Sequence, residues 1–468
     1  VAKRAEQETT TRLLARAICS FDADRVSPAA IQQANLLLLD TIGCGLAGRR
    51  EPVAQAVLQA EPHIEGPCAV IGQSVRASPL SAVLLNGALI RVLDLNDYII
   101  GEAHGEPESA GHPSDNIPVA LALGTVRQRS GRDILSAVVL GYELYARLQQ
   151  AMDRGGHWDG VTASGLVAPA IAGWLMGLSE EQLAHALALG AARAATPSIV
   201  RSGGISAAKS LANALVAQSG VQAVLLAEQG VTGPLAILDD ARGLHDLFAR
   251  AEPSSLAAAF PAEGAIMRAH VKAYPCINTG QSAVAAALQL HALLNGDASS
   301  VSRVEVTMAD YKVIKRHQDD PERMHPVSRE AADHSFTFIV AVALIDGRFG
   351  PEQFENERWR DPAVTSLMSK IVLRRDPAWN ARAPGSYPCF ILATDARGKE
   401  RMVEVPYPPG YSRGGLEAKI VLDKFRAVTH SILGRAGCAR IEDAVMEFDR
   451  HPSAETLNNA IATEGPST

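Results

Sequence analysis

No two cysteines in this 468-residue chain are spaced as C-x-x-C. The six present, Cys19, Cys44, Cys68, Cys276, Cys389 and Cys438, are scattered. Spacing therefore offers no zinc ribbon or iron–sulfur cluster, which gather several thiolates at short intervals. No G-x-G-x-x-G follows a strand-like segment and no phosphate-binding loop occurs, so a nucleotide cofactor has no motif in its favour. Nor is there an unbroken apolar run of about 18 residues, the length a membrane-spanning helix needs. The opening "VAKRAEQETTTRLL" has no apolar core of the kind a signal peptide carries. Aromatic residues are few, at 5%, and the net charge is −7, which argues against a general nucleic-acid binder. These absences lead to an expectation of a cytoplasmic protein with no membrane or nucleic-acid partner.

What the chain does have is apolar, helix-compatible sequence in a length that exceeds one ordinary core. "SPAAIQQANLLLLDTIGCGLAG" (28–49) begins on Ser-Pro and closes on glycine, as a buried helix does. Residues 78–95, 132–149, 161–177 and 205–229 repeat the theme, and Ser179 with Gln182 three positions on forms a capping box. Around residue 270 the pattern changes. "VSRVEVTMA" (301–309) alternates as a half-buried strand does, and 387–408 reads as two strands around an Asp-Ala-Arg-Gly turn. Residues 280–294 and 331–347 between them suit helices. The expected fold is mostly α: an all-helical domain over 1–268, a smaller α+β lid domain over 269–410, and a helical return to the first domain over 411–468.

Scattered polar residues carry the chemistry. "GHPSDN" (111–116) places His112 before the apolar helix "IPVALALG", with Ser114, Asp115 and Asn116 as candidate caps. Asp94 and Asp97 follow an apolar helix. Lys209 lies in "RSGGISAAKSLANALV", among small and apolar residues where a lysine is costly to bury without a partner. Arg201, eight residues earlier, offers a planar fork for a carboxylate. His270 and Lys272 open the second domain, and His157 precedes Trp158 and Asp159 in a glycine-flanked turn. Such a set of cations, histidines and an acid suits a polycarboxylate ligand.

The ordered set "LDLNDY", "GHPSDN", "HWDG", "SGGISAAKSLANA", "KAYPCINTGQSAV" and "ADHSFTFIVAVALIDG" resembles the MmgE/PrpD family. That family contains 2-methylcitrate dehydratases, cis-aconitate decarboxylases and iminodisuccinate epimerases. The resemblance spans about residues 10 to 450. It implies a large helical domain with an α+β lid, a homodimer, and chemistry that needs neither a metal nor an organic cofactor. Carried over by position, it makes Asp94, His112, Lys209 and Lys272 the catalytic candidates, with His157 added. Tyr98, Ser114, Arg201 and Gln281 are the substrate-binding candidates.

Three departures accompany the resemblance. Gly160 stands where relatives often carry a histidine, and Phe338 where they often carry a tyrosine. The segment 99–110 is long and acidic, with Glu102, His104, Glu106 and Glu108. The expected activity is a metal-independent hydro-lyase that dehydrates a 2-methylcitrate- or citrate-like hydroxy acid. Decarboxylation, epimerisation and carboxylate binding without turnover are the alternatives.

The residue types answer one physical problem. Taking a proton from carbon beside a carboxylate builds negative charge next to existing charge. Fixed cations must already be in place to neutralise it, and a base of near-neutral pKa must accept the proton. Histidine suits the base.

Overall fold

The computed structural model describes residues 8–61, 65–103, 106–202 and 205–462. It is 59% helical and 10% strand, a mostly α fold. The helix Pro28–Gly48 starts where the Ser27 hydroxyl accepts the Ala30 amide at 3.1 Å. Its apolar residues are buried on nearly every side, so it packs on several neighbours at once. Pro79–Arg91, Gly131–Ala151, Ser164–Met176 and Ala208–Glu228 surround the same core. The capping box forms: the Ser179 hydroxyl accepts the Gln182 amide at 3.3 Å and Gln182 Oε1 accepts the Ser179 amide at 3.1 Å.

Ala208–Glu228 is the one described helix long and apolar enough to cross a membrane, but 61% of its apolar window is buried in the fold. It sits close to Pro79–Arg91 because Gly87 faces Ala214, where an added Cβ would stand 2.7 Å from the alanine's own. Lys209, the second residue of this helix, is buried in the interior.

A second core is built around a four-stranded sheet of order Ile371–Asp376, Val301–Ala309, Cys389–Asp395, Glu400–Val405. The first pair is parallel and the rest antiparallel. Helices Gln281–Leu293 and Phe336–Asp346 complete this core. Strand Ile371–Asp376 escaped the sequence reading: it is short, and its exposed Val372 and Arg374 alternate with only two buried apolar residues, Ile371 and Leu373.

The chain then returns to the first core. Helix Ala418–Met446 lies along Pro28–Gly48, burying Val421 and Phe425 there. Its Lys424 pairs with buried Asp40 at 2.6 Å and donates to the Leu95 carbonyl at 2.8 Å, just behind Asp94.

The first 268 residues are not wholly helical. Tyr98–Ala103 and Glu106–Ser109 form an antiparallel hairpin, and Tyr98–Ala103 also pairs with Ala269–His270. This is the long acidic segment, and the hairpin supplies backbone partners that so polar a stretch would lack in a loop. The Glu106 carboxylate accepts the Lys312 amide at 3.0 Å, which ties the hairpin to the second domain. Glu108 pairs with Arg154 at 3.3 Å. His104 lies outside the described residues.

Candidate active site

At the end of helix Pro79–Arg91 the backbone turns sharply, and Asp94 adopts φ 50°, in the left-handed region that few residues other than Gly, Asn and Asp tolerate. The turn points a carboxylate that is only 2% exposed into a cluster of cations. Arg91 forms an ion pair with it, Lys272 Nζ lies 2.7 Å from Oδ1, and Lys209 Nζ lies 3.3 Å from Oδ2. Burial alone would raise the Asp94 pKa, but these charges together hold it well below the ordinary carboxylate range. Lys272 also donates to the Asp94 carbonyl at 2.9 Å.

Lys209 makes its shortest contacts to Asp333, at 2.9 and 3.0 Å, and Arg329 reaches the same carboxylate at 3.2 Å. His334 Nδ1 lies against Asp333 and 3.2 Å from Lys209 Nζ. Asp94, Asp333 and His334 have the donor types of a metal site, with ligand atoms within 4.8 Å of one another. The Lys209 ammonium already sits among these atoms, so the cluster carries its own cation.

His112 is held differently. Its Nδ1 lies 2.5 Å from the Asp97 carbonyl oxygen, which can only accept, so Nδ1 carries the hydrogen and Nε2 is left with the lone pair. Burial, and the positive charges of Arg91 and Lys272, lower its pKa well below the usual histidine value. His112 is therefore neutral at pH 7 with one free acceptor nitrogen. Gly111 before it has φ 89°, and an added Cβ would stand 2.3 Å from the Tyr145 hydroxyl, so only glycine delivers the histidine here.

Asp97 itself is buried, and its Oδ2 accepts from the Tyr142 hydroxyl at 2.8 Å. Desolvation pushes its pKa up to about 7.

Arg91, Asp94, His112, Arg201, Lys272 and His334 all line one cavity of about 190 Å³ between the two domains. Lys209 stands behind it, bonded to Asp94 and Asp333. Arg201 is on the wall and paired with Asp159 at 2.6 Å.

The other candidates are placed elsewhere. Gln281 is fully buried; its oxygen accepts the Ala273 and Tyr274 amides and its nitrogen donates to the Tyr274 and Cys276 carbonyls. It is a clamp on the turn after Lys272, with no group left for a ligand. Ser114 is buried and accepts from Asn96 at 2.9 Å. Tyr98 is buried against His270, which in turn stacks on Tyr411. The His157 ring is exposed and off the cavity wall, while its backbone carbonyl accepts from Ser198, which is on it.

Asn116 stands at the N-cap of helix Ile117–Val126, but its side chain makes no capping hydrogen bond to the helix. The polar side chains here form tertiary bonds instead: Asp115 to Arg91 and Asn96, and Asn116 to Ser164. Buried polar groups need partners, and here the partners are on neighbouring helices.

The departures also resolve locally. A Cβ at Gly160 would stand 3.0 Å from Gln149 Oε1, and Gln149 donates to the Gly160 carbonyl at 2.6 Å. Gln149 thus takes up the space a side chain at 160 would need. Phe338 is off the cavity wall, fully buried in the second core against Phe354 and Trp359.

Three site residues were not singled out from the sequence: Arg91, Asp333 and His334. Arg91 carried the same signal as Lys209, a charge inside an apolar helix, three residues before Asp94. His334 is 6% exposed, and burial together with Lys209 lowers its pKa to about 4, which makes it a second neutral histidine on the wall.

The chain is similar to known proteins over most of its length. The Cis-aconitate decarboxylase-like protein oryM of Aspergillus oryzae is 25% identical, with 93% of each chain covered. The 2-methylcitrate dehydratase of Salmonella typhimurium is 26% identical over 83% of each chain. The cis-aconitate decarboxylase of Aspergillus terreus is 25% identical over 93% of each. Residues 12–257 match the MmgE/PrpD N-terminal domain and residues 274–450 the MmgE/PrpD C-terminal domain, and the chain belongs to the MmgE/PrpD family.

Proposed function

We propose that this protein is a lyase for a small di- or tricarboxylate, and that it dehydrates a hydroxy acid of the citrate or 2-methylcitrate type without a metal. The observation that carries the reading is His112, a neutral base with its acceptor nitrogen fixed by the Asp97 carbonyl, beside Arg91 and Lys272. His112 Nε2 takes the proton from carbon next to a carboxylate. The electron pair forms the C=C bond, the C–O bond breaks, and the leaving hydroxyl departs as water with a proton from Lys272.

Lys272 suits that second role. Burial, with Arg91 and Lys209 nearby, brings its pKa down to about 8 despite its contact with Asp94. An ammonium of that pKa gives up its proton more readily than an ordinary lysine. The Lys209 ammonium fills the position among Asp94, Asp333 and His334 that a metal would take, which supports metal-independent chemistry. Decarboxylation, the activity named in two of the relatives above, uses the same cations and differs in the bond broken.

The pH profile tests these assignments. With His112 active as the neutral base, kcat/KM holds down to pH values below 6.5 before protonation removes the base. With Lys272 as the acid, kcat/KM falls on the alkaline side near pH 8. An acid limb at or above pH 6.5, or a flat profile through pH 9, would contradict the pair. As a further proposal, the chain is a homodimer; Leu215, 51% exposed on the apolar helix Ala208–Glu228, is a face a second copy would cover. Light scattering that gives a monomer mass at micromolar concentration would rule this out.

A further inference from the structure

The inner wall of the cavity is electrostatically satisfied. Arg91 and Lys272 are held by Asp94, Arg201 by Asp159, and Arg323 by Asp320 at 3.2 Å. Two donors on the second-domain side are not. Asn278 is 6% exposed, its Oδ1 accepts the Thr279 amide at 2.9 Å, and its Nδ2, on the cavity wall, has no hydrogen-bond partner. An orphaned buried amide N–H is costly unless something occupies the space before it.

Arg316, on helix Lys312–Asp319, lines the same cavity and has no ion pair or hydrogen bond among the described residues. The two belong together. His317, next to Arg316, contacts the Thr279 hydroxyl at 3.3 Å, and Thr279 follows Asn278. The nearest acids on the arginine's own element and the next are committed elsewhere, Asp319 to Lys315 and Asp320 to Arg323.

We propose that Asn278 and Arg316 form a carboxylate subsite on the second domain, which receives a carboxylate of the substrate distant from the one activated beside His112. This rests on the polycarboxylate reading above and narrows it to acids with a third carboxylate. The planar guanidinium takes a carboxylate in two parallel bonds, and the Asn278 amide supplies a third donor. Such a subsite ranks a tricarboxylate above a dicarboxylate of otherwise similar chemistry.

Calorimetric titration with citrate and with malate tests this, on the full chain and on Arg316→Gln and Asn278→Asp. Arg316 is exposed, so its replacement leaves folding intact; the Asn278 variant puts a repelling charge in place of the orphan donor. The wild type binds citrate more tightly than malate, Arg316→Gln weakens citrate binding about tenfold or more and leaves malate unchanged, and Asn278→Asp weakens citrate further. Equal citrate affinity in wild type and Arg316→Gln would overturn the subsite while the polycarboxylate reading stood. Failure of the wild type to bind either acid would overturn both. Rescue of citrate affinity by Arg316→Lys toward, but short of, the wild-type value supports a bidentate arginine contact.

Discussion

Lys209→Met is expected to destabilise the protein by about 3–5 kcal/mol, the cost of leaving a buried ionic partner uncompensated. The ammonium is 1% exposed and lies within 3.3 Å of both Asp94 and Asp333, which are themselves buried. Methionine fills the volume but leaves two carboxylates with one cation fewer. Urea unfolding of the variant should show the loss. Adding Asp333→Asn to Lys209→Met should recover part of it, because the second change removes one of the stranded charges. A Lys209→Met variant as stable as the wild type would mean that the cluster is solvated and the cations are not held in place before substrate arrives.

His112→Ala carries the largest expected effect on rate. A positioned general base contributes about 10²–10⁴-fold, and turnover should fall by that much. The histidine is half-buried and its ring makes a single hydrogen bond among the described residues, to the Asp97 carbonyl. Thermal unfolding should therefore stay close to that of the wild type. Near-normal turnover in this variant would remove His112 from the mechanism and move the base to His334, the other neutral histidine on the wall.

Part of the candidate site was legible in the sequence because burying a charge is costly enough to be read without coordinates. Lys209 among alanines and leucines demanded a partner, and the structure supplies Asp94 and Asp333. The same argument applied to Arg91 would have found it. Asp333 and His334 were visible only as part of a motif, since their role depends on the turn before Phe336–Asp346 meeting Lys209 from the other domain.

Spacing also could not tell a ligand-facing side chain from one spent on its own backbone. Gln281 and Ser114 have the right chemistry, but their polar atoms are used in holding the turns that carry Lys272 and His112. The hairpin at 98–109 was missed because its second strand, Glu106–Ser109, is built of Glu, Pro and Ser and carries no alternating apolar pattern.

The account's central claim is a base and a fixed cation set that remove a proton from carbon beside a carboxylate. The measurement that tests it most directly is a proton NMR time course in deuterated buffer with chelator present, on 2-methylcitrate, citrate, cis-aconitate and malate. The account predicts vinyl signals growing from a hydroxy acid, at a rate the chelator does not change. No change in any of the four acids, or a reaction that stops when the chelator is added, would contradict it.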